Sequence, residues 1–129
     1  MKIEHAAIWT RNLEQLKEFY VTYFGAQTSR KYVNAKKGFE SYFLSFSGDA
    51  RLELMQSPRV GNASSGPDSQ PAGYAHLAFS AGSAEQVRSL TAQLERDGYK
   101  VVSGPRTTGD GYYESVILDP DGNVLEITI

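Results

Sequence analysis

The chain has no cysteine. That excludes disulfides, thiolate zinc sites, iron–sulfur clusters and a cysteine nucleophile together. Histidine is almost as scarce: only His5 and His76 occur among 129 residues, so any imidazole chemistry must use one or both. Long apolar runs are missing too. The longest, Ala6-Ala7-Ile8-Trp9, falls far short of a membrane span or a signal-peptide core. With no export signal, the expected compartment is the cytoplasm. Charge of one sign is also lacking: thirteen Lys and Arg against fifteen Asp and Glu leave a formal charge of −2. Nucleic acid, held through its phosphates by clustered positive charge, is therefore not an expected partner, and neither is a membrane. There is no dinucleotide-binding GxGxxG fingerprint and no nucleophile elbow, and Gly109-Asp110-Gly111 is too short for a phosphate loop.

What is present is the composition of one soluble globular domain, 40% hydrophobic and 22% charged. A faint internal repeat organises it. Ile3-Glu4-His5-Ala6-Ala7-Ile8-Trp9 alternates like a strand, and Tyr74-Ala75-His76-Leu77-Ala78-Phe79 restarts the pattern. Seven residues after each His stands a helix-capping residue, Asn12 and Ser83, each with a Gln three residues on. The first helix is expected to bury Leu13, Leu16, Tyr20 and Tyr23 and to stop at Gly25. The second should bury Val87, Leu90 and Leu94 and stop at Gly98. Strands are then expected at Gln27–Val33, Phe39–Phe46 and Arg51–Gln56, and again at Lys100–Ser103, Tyr112–Leu118 and Asn123–Ile129. Turns at Ser47-Gly48-Asp49-Ala50 and Asp119-Pro120-Asp121-Gly122 make hairpins of the last two strands in each set. The expectation is one α+β domain over residues 1–129: a βαβββ module at 1–57, a linker rich in Pro, Gly and Ser at 58–73, and a second module at 74–129. Modules of this size need to share a core.

Strand alternation sorts the side chains. Leu52 and Leu54 point one way and Glu53 the other; Leu125, Ile127 and Ile129 point one way and Glu126 the other. The aliphatic side chains should pack beneath the helices, leaving both glutamates on the open face. A strand Glu between apolar neighbours needs water or a partner. His5 precedes Glu53 by 48 residues and His76 precedes Glu126 by 50, so each module carries one imidazole and one carboxylate at matching places. Paired, they would form a two-nitrogen, two-carboxylate set suited to a divalent transition metal: zinc, nickel, cobalt, manganese or iron. Trp9 shares the parity of His5 and could wall a cleft. Arg59 and Arg106, placed in loops, and Tyr112 and Tyr113 could touch a ligand, but solvated charge and ordinary strand packing explain them as well.

These segments resemble the glyoxalase / vicinal oxygen chelate superfamily, the glyoxalase–bleomycin resistance–dioxygenase group. The resemblance is carried by Ile3–Ile8 with Asn12-Leu13, Phe19-Tyr20 and Gly25, by Leu52-Glu53-Leu54, by Tyr74–Phe79, and above all by Asp119–Glu126. It implies paired βαβββ modules forming a cupped mixed sheet, with His5, Glu53, His76 and Glu126 as metal ligands in the glyoxalase I pattern. It further implies a lactoylglutathione lyase-like enzyme acting on a small molecule, such as a thiol adduct, through proton transfer and a metal-chelated enediolate. Glu126 or Glu53 would be the base, and the protein a cytoplasmic homodimer. Arg11 stands later than the Arg that such enzymes place after the first His, and Leu54–Arg59 lacks a match to their glutathione-contacting Asn. The alternatives are an extradiol-type dioxygenase using His5, His76 and Glu126, and a non-enzymatic small-molecule binder of the bleomycin-resistance kind.

Overall fold

Helix α1 spans Leu13–Phe24 and helix α2 spans Ala84–Arg96 in the computed structural model, which describes residues 1–61 and 72–129. Each starts where a side-chain oxygen satisfies an orphan backbone N–H. Asn12 Oδ1 accepts from the Gln15 amide at 3.1 Å, and Ser83 Oγ from the Gln86 amide at 3.2 Å. The Leu13 amide also donates to Gln56 Oε1 at 2.7 Å, tying the start of α1 to a neighbouring strand. Gly25 ends α1 at φ +65°, a left-handed conformation that glycine adopts without steric cost.

The chain divides into two compact units, Met1–Asn62 and Ala63–Ile129. The first contains β1 (His5–Trp9), α1, β2 (Gln27–Thr28), β3 (Tyr32–Asn34), β4 (Phe39–Ser45) and β5 (Arg51–Gln56). Its sheet runs β1-β5-β4-β2, with β3 also on β4; β1 and β5 are parallel and the other pairs antiparallel. The second contains β6 (Leu77–Ser80), α2, β7 (Val101–Thr107), β8 (Tyr113–Leu118) and β9 (Val124–Thr128). Its sheet runs β6-β9-β8-β7, again with only the first pair parallel. This is an α+β fold built from two βαβββ-type modules, each with its own mixed sheet. Of the linker expected at 58–73, residues 62–71 lie outside the described residues.

Several boundaries depart from the sequence expectation. The strand expected at Gln27–Val33 is two short strands. At the break the Ser29 hydroxyl accepts from the Phe43 amide at 3.0 Å while donating to the Arg30 carbonyl at 2.9 Å, so a side chain takes over part of the ladder. β7 runs on past Ser103 to Thr107 because a register shift between Ser103 and Arg106 absorbs Gly104 and Pro105 on an edge strand. β6 begins only at Leu77, leaving Tyr74, Ala75 and His76 ahead of it. Tyr112 precedes β8, where its amide and carbonyl both bond the Thr108 hydroxyl, each at 3.1 Å.

In the first unit Leu13, Leu16, Phe19 and Tyr20 of α1 are buried, as are Leu44, Leu52 and Leu54 of the sheet; in the second, Val87 and Leu94 are buried with Ile117, Leu125 and Ile127. Phe19 rather than Tyr23, and Thr91 rather than Leu90, complete the buried stripes. Thr91 tolerates burial because its hydroxyl lies 2.6 Å from the Val87 carbonyl and 2.6 Å from Ser115 Oγ. Ile129, expected inside, lies beyond the end of β9 and is exposed. Leu125→Ala should therefore lower unfolding free energy by about 2–5 kcal/mol, whereas Ile129→Ala should change it by less than about 0.5 kcal/mol. Urea denaturation of the two variants checks the contrast.

On the surface of the first unit, Glu14 accepts from Lys17 Nζ at 2.9 Å and from the Tyr42 hydroxyl at 3.1 Å, and pairs with Lys31 Nζ at 3.1 Å. The Lys17 bond foremost, with those from Lys31 and Tyr42, holds the Glu14 carboxyl at about 2, below its ordinary 4.5. A depressed carboxyl pKa contributes stability that is full above the unfolded value and lost as pH falls through the folded one. The stability gap between wild type and Glu14→Gln should thus be full at neutral pH and shrink from about 4.5 down towards about 2. Denaturation midpoints measured across that range test it; a gap independent of pH would contradict the assignment.

Candidate functional site

Parallel pairing puts each imidazole beside its carboxylate. On the first sheet Ala7 lies in register with Glu53, and His5 is two residues upstream of Ala7 on the same face. On the second sheet Ala78 lies in register with Glu126, and His76 is two residues upstream of Ala78. The offset is identical. His5 Nε2 is 3.9 Å from Glu53 Oε2, and His76 Nε2 is 3.2 Å from Glu126 Oε2. Alternation works as expected: Leu52 and Leu54 are buried on the helix side, as are Leu125 and Ile127. The Glu53 and Glu126 side chains keep 16% and 21% of their exposure and both imidazoles keep 40%, so all four stay reachable from solvent.

The donor atoms suit a divalent cation. Metal–ligand bonds of about 2.1 Å set neighbouring ligand atoms roughly 3.0–3.4 Å apart. The second pair, at 3.2 Å, falls in that range, and the first, at 3.9 Å, is wider than it. Alanine opposite each glutamate leaves room on the open face. Within either unit the grouping stops at the pair: among the described residues no cluster of three or more His, Asp or Glu forms a metal site.

The first pair has a support that the sequence did not reveal. The Glu4 carboxylate bonds His5 Nδ1 on one oxygen and the Arg51 guanidinium on the other, with Arg51 Nε donating at 2.9 Å. The bond from His5, then those from Arg51, hold the Glu4 carboxyl below its ordinary range. Arg51 lies over the Phe43 ring at 4.2 Å, and His5 meets the same ring edge-on at 5.4 Å. Nothing in composition or spacing marks Glu4 or Arg51. The signal is spatial, because Arg51 is the register partner of His5.

Among the other candidates, Trp9 shares the open face with His5, is 51% exposed and packs edge-on against Phe39 at 6.0 Å. Arg59 sits in a turn after β5. Arg106, expected in a loop, lies within β7 opposite Glu114, with its guanidinium 3.8 Å from that carboxylate. Glu114 shares the open face of Glu126 and was missed in the sequence. Tyr113 turns to the helix side, where Arg88 donates to its hydroxyl at 3.3 Å, while Tyr112 is exposed.

A sequence profile of the Glyoxalase/Bleomycin resistance protein/Dioxygenase superfamily matches residues 2–127. The chain belongs to this superfamily. Solved structures agree on the fold. A glyoxalase family protein from Enterococcus faecalis is 27% identical, with a TM-score of 0.79 over 99% of this chain and 97% of its own. A glyoxalase I mutant from Zea mays is 22% identical, with a TM-score of 0.80 over 98% of this chain but only 44% of its own, so this chain spans less than half of that protein. The trypanothione-dependent glyoxalase I of Leishmania major is 20% identical, with a TM-score of 0.75 over 99% of this chain and 86% of its own. No curated protein matches the chain. Among the described residues no helix is long and apolar enough to cross a membrane.

In this superfamily member one carboxylate holds the turn that leads into β9, the strand of Glu126. Buried Asp119 accepts through Oδ1 from the Asp121 amide at 3.0 Å and the Asn123 amide at 2.9 Å, and through Oδ2 from Asn123 Nδ2 at 2.8 Å. Asp119→Ala leaves three donors without their acceptor and should cost about 1–3 kcal/mol. Asp119→Asn, which keeps the Oδ1 acceptor, should cost less. Thermal unfolding of both variants measures the difference.

Proposed function

We propose that His5, Glu53, His76 and Glu126 hold one divalent metal ion and that the protein is a metal-dependent lyase or isomerase of glyoxalase I type. The observation that carries this reading is the repetition of one His–Glu arrangement, with the same register offset, in both modules. Two carboxylates balance a 2+ charge, and either pair alone offers too few donors for tight binding. In this reading modules 1–57 and 74–129 belong to one domain, and the protein works as a cytoplasmic homodimer on a small-molecule substrate. Zinc or nickel fits best. When bound, the ion would supply Lewis acidity to adjacent substrate oxygens.

The chain's own groups supply the rest. A glutamate of the set, Glu126 or Glu53, takes a carbon-bound proton and returns it to the neighbouring carbon. Their partial burial limits competing water, and the aliphatic layer beneath fixes their strands. The aromatic side chains of Trp9 and Phe39 offer an apolar flank on the face that carries His5 and Glu53.

His76→Ala or Glu126→Ala should abolish tight metal binding while circular dichroism stays unchanged. Elemental analysis of purified wild type and variants reads this, and equal metal content in all of them would overturn the site. Turnover of a methylglyoxal–thiol hemithioacetal with zinc or nickel restored would support the lyase reading. Oxygen consumption that needs ferrous iron would replace it with a dioxygenase. Stoichiometric capture of a small molecule by metal-free protein would replace it with a binding role.

A further inference from the structure

The two His–Glu pairs are alike in register but not in surroundings. Around His5 stand Glu4, Arg51 and Phe43; the corresponding places around His76 hold Ala75, Val124 and Val116. The correspondence follows from position: Glu4 and Ala75 precede the imidazole, Arg51 and Val124 stand two residues before the glutamate, and Phe43 and Val116 lie opposite that glutamate. A carboxylate can only accept hydrogen bonds, so its contact with His5 requires the proton on Nδ1. In a neutral imidazole the lone pair is then on Nε2, the nitrogen that faces Glu53. Arg51 holds the Glu4 carboxylate through its side chain, and its amide bonds the Glu4 carbonyl at 3.0 Å. The bridge is thus fixed at both backbone and side-chain level, and the Phe43 ring backs both the guanidinium and the imidazole.

We propose that Glu4, held by Arg51, is a positioning residue that fixes His5 as an Nε2 donor, whereas among the described residues Glu126 is the one side chain paired with the His76 imidazole. This rests on the metal-holding reading above. An outer carboxylate on a ligating imidazole fixes its tautomer and orientation, and its loss weakens metal affinity about 10–100-fold.

The test uses the full chain, wild type, Glu4→Ala and Glu4→Gln, labelled with 15N on histidine and studied first without metal at a pH above the imidazole range. In wild type the His5 shifts should report the proton on Nδ1. In Glu4→Ala they should move towards the Nε2-protonated form, and in Glu4→Gln, whose carbonyl can still accept, they should move back. His76 serves as the internal control and should not change. Zinc affinity, measured by chelator competition, should fall about 10–100-fold in Glu4→Ala and partly recover in Glu4→Gln. His5 shifts identical in wild type and Glu4→Ala, or an equal change at His76, would overturn the inference even if zinc binds. Wild-type protein that shows the tautomer response but binds no zinc would instead overturn the metal-holding reading, and with it the purpose assigned to Glu4.

Discussion

Parallel pairing between the first and last strands of each module is the constraint on which everything else depends. It brings residues 48 and 50 positions apart in sequence to within 3.9 and 3.2 Å of each other. Parallel neighbours need a long crossover, and in each module a helix and the intervening strands supply it. Once the register is set, alternation does the sorting. Every residue that could have been on the wrong face of β5 or β9 follows from the aliphatic side chains choosing the helix. A slip of one residue would bury both glutamates and expose Leu52, Leu54, Leu125 and Ile127. The hydrophobic layer therefore fixes the polar one from the opposite face of the sheet.

Much of this was legible in the chain. The capping residues Asn12 and Ser83, the parity of Glu53 and Glu126, and the hairpin turns are local properties, and local properties survive folding when tertiary packing agrees with them. What escaped is non-local. The break at Ser29 depends on a hydroxyl meeting the backbone of Phe43, fourteen residues away. Thr91 is buried because Ser115 comes from another strand to meet its hydroxyl. Arg106 reads as a loop residue beside Gly104 and Pro105 until the register shift between Ser103 and Arg106 is seen to accommodate them. Glu4 and Arg51 are charged side chains that composition assigns to solvent; only the register between β1 and β5 brings them together around His5.

The two modules differ in how they frame the same pair. The first surrounds its imidazole with charge and an aromatic ring, and the second leaves apolar and small side chains there. Glu114 and Arg106 place a separate ion pair on the second sheet's open face, alongside Glu126 rather than behind His76. The two modules thus share strand pairing and the two donor types, while the polar groups around them are specific to each half.

The irregular outer strand of the second sheet also bears on colloidal behaviour. The rim of a sheet carries unpaired amides and carbonyls, and a straight rim is a template on which a stray strand can zip. Interrupted by two register shifts and missing an N–H at Pro105, β7 presents a poor template for such growth.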